Sequence, residues 1–261
     1  MGLLLCTQCA ENPFYYEKLD IDLWSIQELC YVLYHYPVII PEDLMDRRLT
    51  GWIRDELGLG ILAAKLEQMQ GMGESQERMV LTILREGNYY TQAEVGQFAM
   101  EFRKLRETDH AVLREMIGDT FADLGRYGRA VESYEDAVQE GNAPGAREKL
   151  ADACMHVMQF ERAAELYEGI YQENGDTGAL RKLYFIRKLE SSVDTIRKYE
   201  EEIDTDILAK WELEFETAEQ QADNSVQADA IRAMYQEDAD SFRFKAAGQI
   251  RQWKRDYRNK S

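Results

Sequence analysis

Four prolines punctuate the chain, at positions 13, 37, 41 and 144; none stands between Pro41 and Pro144, and none follows Pro144. A proline inside a helix removes a backbone hydrogen bond and clashes with the preceding turn. Two long stretches are therefore open to helix after helix, and apolar residues recur through both at steps of three and four, the helical period. The 261 residues are 45% hydrophobic and 31% charged, the balance of a globular chain of one large or two small domains. No apolar run approaches the roughly 20 residues that a bilayer crossing needs. The fold class expected is all-α.

The first forty residues are the least regular. Phe14-Tyr15-Tyr16 forms an aromatic cluster after Pro13, and Val38-Ile39-Ile40 is a candidate short strand, beside Leu3-Leu4-Leu5. Ser25-Ile26-Gln27-Glu28 has the capping-box pattern and opens a helix carrying Leu29, Val32 and Leu33, which stops before Pro37. Pro41-Glu42-Asp43 sits like the first turn of a second helix. That helix carries Leu44, Met45, Leu49, Trp52, Ile53 and Leu57, and Gly58 and Gly60 end it. Helices over 61–70 and 76–86 follow, closed by Gly71 with Gly73 and by Gly87. Thr91-Gln92-Ala93-Glu94 is a second capping box, before an apolar stripe of Val95, Phe98, Ala99 and Phe102.

From Ala111 the chain repeats with a step of 33 residues. Ile117 maps to Leu150, Gly118 to Ala151, Tyr127 to Phe160, Ala130 to Ala163 and Tyr134 to Tyr167. Each unit reads as two antiparallel helices, whose small residues let the backbones approach while large ones fill the space around them. Gly125 breaks the first pair, and Gly141 with Pro144 separates the units. Residues Ile117, Gly118, Phe121, Gly125, Tyr127, Ala130, Tyr134 and Ala137 resemble the tetratricopeptide repeat, a helix-turn-helix unit of about 34 residues. The second unit keeps Leu150, Ala151, Phe160, Ala163 and Tyr167; it departs at Cys154, at Ile170 and at Met158, where the turn glycine is expected. A third, partial unit has Leu180 and Leu183 in place, but Ile196 replaces the small residue, which implies looser packing or splayed helices. Gly87-Asn88-Tyr89-Tyr90 with Ala93 looks like a degenerate earlier unit. The resemblance is good over 111–172, weak over 76–106 and 177–202, and absent elsewhere. It implies antiparallel helix pairs stacked as a right-handed superhelix, an α-solenoid. The organisation expected is an N-terminal helical region over 1–75, repeats over 76–202, and long helices over 203–261 capping the array.

Beyond Ser192 two apolar stripes run along long helices: Ile196 to Ala218, then Ile231, Tyr235, Ala239, Phe242, Ala246, Ile250, Trp253 and Tyr257. Residues 200–240 hold fourteen acids and two bases, and 241–261 hold seven bases and one acid. The opposite charges favour a basic last helix that folds back over its apolar stripe.

Lys plus Arg is 31 against 49 for Asp plus Glu, a net charge of −18. Such a chain is repelled by phosphate backbones and anionic lipids, so neither nucleic acid nor membrane is an expected partner. Cys6-Thr7-Gln8-Cys9 is a CxxC, but a four-ligand zinc site needs two more donors. The remaining Cys30, His35, Cys154 and His156 form no second motif, so no metal and no cofactor is expected. His35, His110 and His156 pair with no nucleophile motif, and Gly58-Leu59-Gly60 and Gly71-Met72-Gly73 lack the lysine of a phosphate loop. The expectation is a non-enzyme. Absence of a secretory signal pattern and few cysteines point to the cytoplasm.

A surface remains. In tetratricopeptide proteins, peptides usually lie in the concave groove lined by the first helix of each pair. The resemblance, carried forward in 33-residue steps, places Glu115, Asp119 and Asp123 there, then Glu148, Asp152, Met155 and His156, then Arg181, Phe185 and Lys188. Family members that clamp an acidic C-terminal tail have Lys and Asn where this chain has Glu115 and Asp119, which favours a basic or apolar segment instead. The function expected is a protein-binding adaptor or assembly scaffold. The alternatives are a chaperone for a secreted client and a regulatory subunit or peptide sensor acting on an enzyme or transcription factor. A homo-oligomer is compatible with the same features.

Overall fold

The computed structural model describes residues 9–260 other than 142, 144 and 237, and the side chains of all of these but 257, 259 and 260. Leu3-Leu4-Leu5, Cys6 and Pro144 lie outside the described residues. The chain divides into two compact units, 1–109 and 110–261, with the helices over 76–107 in the first.

The first unit opens on a small hairpin that the sequence reading missed. β1 (Phe14–Tyr16) pairs antiparallel with β2 (Ile21–Leu23), Phe14 opposite Leu23 and Tyr16 opposite Ile21. α1 (Ile26–His35) starts at Ser25, whose Oγ accepts from the Glu28 N–H at 3.2 Å. Val38 and Ile39 belong to a 3-10 turn, Pro37–Ile39, and not to a strand. Pro37 suits that geometry, because its ring fixes φ near the helical value. α2 (Arg47–Asp55) begins six residues later than Pro41, since the Asp46 carboxylate accepts from the Leu49 N–H at 2.9 Å and caps it. Leu44, Met45, Leu49, Trp52, Ile53 and Leu57 are nonetheless all buried. α3 (Gly60–Gly71), α4 (Gln76–Glu86) and α5 (Gln92–Glu107) complete the unit. The α5 capping box forms fully: Thr91 N–H donates to Glu94 at 2.7 Å, and Glu94 N–H to Thr91 Oγ1 at 3.3 Å.

The second unit is a run of helices, each packed on the next: α6 (His110–Asp123), α7 (Tyr127–Glu140), α8 (Ala146–His156), α9 (Phe160–Asn174) and α10 (Thr177–Leu189). Gly118 on α6 faces Tyr134 on α7; a Cβ there would come within 2.4 Å of the Tyr134 ring. The two inter-helix turns are superposable in kind. Gly125 takes φ +70° and Met158, 33 residues on, takes +60°. Arg126 N–H donates to Phe121 O at 2.8 Å, and Gln159 N–H to Cys154 O at 2.9 Å.

Ala130, Ala163 and Ile196 occupy equivalent positions, and all three are fully buried. At the first two, a small residue lets a full helix lie close. At the third, the branched Ile196 stands in its place and the second helix shortens to a 3-10 segment, Thr195–Glu202. α11 (Thr205–Asp223) then packs on α10, with Trp211 buried 5.9 Å from the Tyr184 ring. α12 (Val226–Tyr235) and α13 (Ala239–Lys260) follow, and α13 meets both α12 and α7. Its apolar stripe is not covered along its length. Phe242 lies half-buried 5.0 Å from Tyr235, but Ile250 and Trp253 are 46% and 50% exposed. Among the described residues no helix is long and apolar enough to cross a membrane.

Candidate functional site

The site candidates begin with one carboxylate that recurs every 33 residues. Asp119 on α6 accepts from Tyr134 Oη of α7 at 2.8 Å and from Lys149 Nζ of α8 at 2.7 Å. Lys149 also pairs with Glu115 at 2.7 Å. One step on, Asp152 on α8 accepts from Tyr167 Oη of α9 at 2.5 Å and Lys182 Nζ of α10 at 2.6 Å. Both tyrosine hydroxyls are pushed up, first by burial and then by donation to the carboxylate. Lys149 is raised as well: burial opposes its charge, but its bonds to Asp119 and Glu115 outweigh the burial. Glu115, Asp119 and Asp152 are therefore junction groups: each is paired with a lysine two helices on, and Asp119 and Asp152 also accept from the tyrosine of the helix between.

The next step changes chemistry. Adding 33 to Asp152 and Lys182 gives Phe185 and Phe215, whose rings lie 6.1 Å apart across α10 and α11. An ion pair at two junctions becomes an aromatic pair at the third. The bases that the register places on this face, Arg181 and Lys188, are engaged as well. Arg181 makes a two-pronged pair with Glu214, one prong at 3.0 Å, and its guanidinium sits 5.2 Å from the Phe185 ring. Lys188 donates to Glu212 at 2.7 Å, and Glu212 also accepts from Tyr184 Oη. Lys188 is raised chiefly by its bond to Glu212.

Asp123, Glu148 and His156 are placed differently. Asp123 and Glu148 are exposed, and the described hydrogen bonds and ion pairs engage neither. His156, also exposed, lies flat on Tyr127 at 3.9 Å with 5° between the planes. Asp123 and Glu148 are thus the open acids of this face. Lys149, Lys182, Tyr134, Tyr167, Glu212, Glu214 and Phe215 are the participants sequence reading missed. Lys149 and Lys182 stand in the same 33-residue register as the acids they meet, a signal present in the sequence.

Cys30 is buried, donates to Ile83 O at 3.7 Å, and has its thiol pushed up to about 12 by burial. Cys154 is pushed up to about 11 for the same reason. Neither is ready to act as thiolate. Among the described residues no group of three or more His, Cys, Asp or Glu is placed to hold a metal ion. No protein-family model, curated protein or solved structure matches the chain.

Proposed function

We propose that the chain is a non-enzymatic protein-interaction module of the tetratricopeptide type, with its helix pairs wound as a right-handed superhelix. It acts as a cytoplasmic adaptor or assembly scaffold. Its α6–α8–α10 face holds a basic or apolar protein segment. The observation that carries the reading is the division of labour among the acids on that face. Glu115, Asp119 and Asp152 are consumed by lysines and tyrosines of neighbouring helices. Asp123 and Glu148 are left open. Structural salt links would need neither, whereas a cationic segment would meet both. Electrostatic complementarity of this kind sets partner choice and encounter rate. The bases on α10 are held by Glu212 and Glu214, so an acidic end of a ligand is not part of the proposal.

Replacing both open acids with lysine tests it. Full-length Asp123→Lys/Glu148→Lys protein should keep its melting temperature, since both sites are exposed. Its capture of the native partner from host lysate should fall by about tenfold, the loss of a pair of charge contacts. Undiminished capture by a folded double variant contradicts the proposal.

A further inference from the structure

The first unit carries an aromatic surface that the repeat reading does not use. Tyr31, Tyr34 and His35 stand at steps of three and four on α1, so they share one face. Tyr89 and Tyr90 come from the link between α4 and α5, and Phe98 from α5. Tyr34 stacks on Tyr90 at 4.0 Å and lies 5.4 Å from Phe98. Tyr31 lies 4.2 Å from His35, and Tyr89 meets Tyr90 edge-on at 4.8 Å. The cluster is anchored below, where Phe98 is buried, and open above, where Tyr31 is 44% exposed. We propose that this tyrosine cluster, with Glu94 and Glu101 at its edge, docks an arginine- or lysine-bearing segment of a partner protein.

Two observations carry this. The edge is negative: burial first, and then the charges of Glu94 and Glu101, push the Tyr34 hydroxyl up. Ring faces themselves attract cations, arginine above all. Last, several other aromatic groups of this chain that lie among acids already carry a cation. Lys182 sits over Tyr167, Arg187 and Lys188 over Tyr184, and Arg181 over Phe185. Among the described residues no cation lies over Tyr31, Tyr34, Tyr89 or Tyr90. The direct stacking of Tyr34 on Tyr90 leaves no slot between rings, which makes this a face for a peptide and not a pocket for a small molecule.

The test is a titration of the full-length, isotope-labelled chain with two capped peptides, one of alternating Gly and Arg and one of alternating Gly and Glu. Because a chain of net charge −18 attracts any cation, the readout is positional. The Arg peptide should shift the amides of Tyr31, Tyr34 and Asn88–Tyr90 saturably, and the Glu peptide should not. Tyr31→Ala/Glu101→Gln, at exposed positions, should weaken that binding by about fivefold. Asp123→Lys/Glu148→Lys should leave it unchanged, which separates this site from the repeat face. Shifts confined to the second unit, or equal affinity in the Tyr31/Glu101 variant, overturn the proposal. So does concentration-dependent dimerisation that shifts the same amides without peptide, since the occupant would then be a second copy.

Discussion

Met158 adopts a left-handed backbone, φ +60°, at the position where the preceding repeat has Gly125 at +70°. A side chain pays for that conformation with a clash between Cβ and the carbonyl, which glycine avoids. The turn hydrogen bonds are the same in both repeats, so the fold imposes the conformation on whichever residue stands there. Met158 is 69% exposed and contributes little packing. Met158→Gly should therefore stabilise the protein, by about 0.5 kcal/mol once glycine's extra freedom in the unfolded chain is subtracted. Chemical denaturation reads this directly, and an unchanged or lowered midpoint would show that the methionine packs more than its exposure indicates. At the same scale, the 33-residue register shows which residues correspond but not whether they face a ligand. Asp119 and Asp152 have the register of groove residues, yet each is spent on a tyrosine and a lysine.

At the scale of elements, close approach decides which helices form pairs. Gly118 admits the Tyr134 ring where any Cβ would lie 2.4 Å from it. Gly118→Ala should destabilise the protein by about 1–3 kcal/mol, the range for overpacking a well-filled contact. A melting temperature equal to that of the parent would place the α6–α7 contact elsewhere. The long periodic helices were legible because 3.6-residue stripes and caps such as Thr91 with Glu94 act locally. The hairpin was not, because three-residue strands are too short to show alternation, and Asp20, not glycine, takes the positive φ near its turn, 48°. The onset of α2 was misread because Pro41 and Asp46 both make plausible helix starts, and the Asp46 carboxylate bonds to the helix N–H. The weakness of the third pair was legible in Ile196. That α11 would close over Arg181 and Lys188 was not, since Glu212 and Glu214 read as solvated acids until the packing brought them across.

At the scale of the whole molecule, burial of weakly acidic groups sets the response to pH. Cys30 and Cys154 are raised from 9.0 to about 12 and about 11, and Tyr134 and Tyr167 are raised further by burial and by their carboxylate partners. For a group whose folded pKa lies above its unfolded value, stability is complete below the unfolded pKa and is lost as pH climbs through the folded one. The protein should therefore hold its stability to about pH 9 and lose it above, each such group adding up to about 1.4 kcal/mol per pH unit. Equilibrium unfolding between pH 7 and 11 checks this, and Cys30→Ala should flatten the slope. A stability curve level through pH 11 would contradict the burial described.

The claim that the α6–α8–α10 face holds a protein segment is tested most directly by photo-crosslinking in the native cell. A photoreactive amino acid is placed in the full-length chain at Asp123 or Glu148, and as controls at Arg197 or Glu161. The expected result is a discrete adduct, the same at Asp123 and Glu148, absent from both controls, and shown by mass spectrometry to join a basic or apolar stretch of one protein. Adducts of equal yield at all four positions, or none at Asp123 and Glu148, would contradict it.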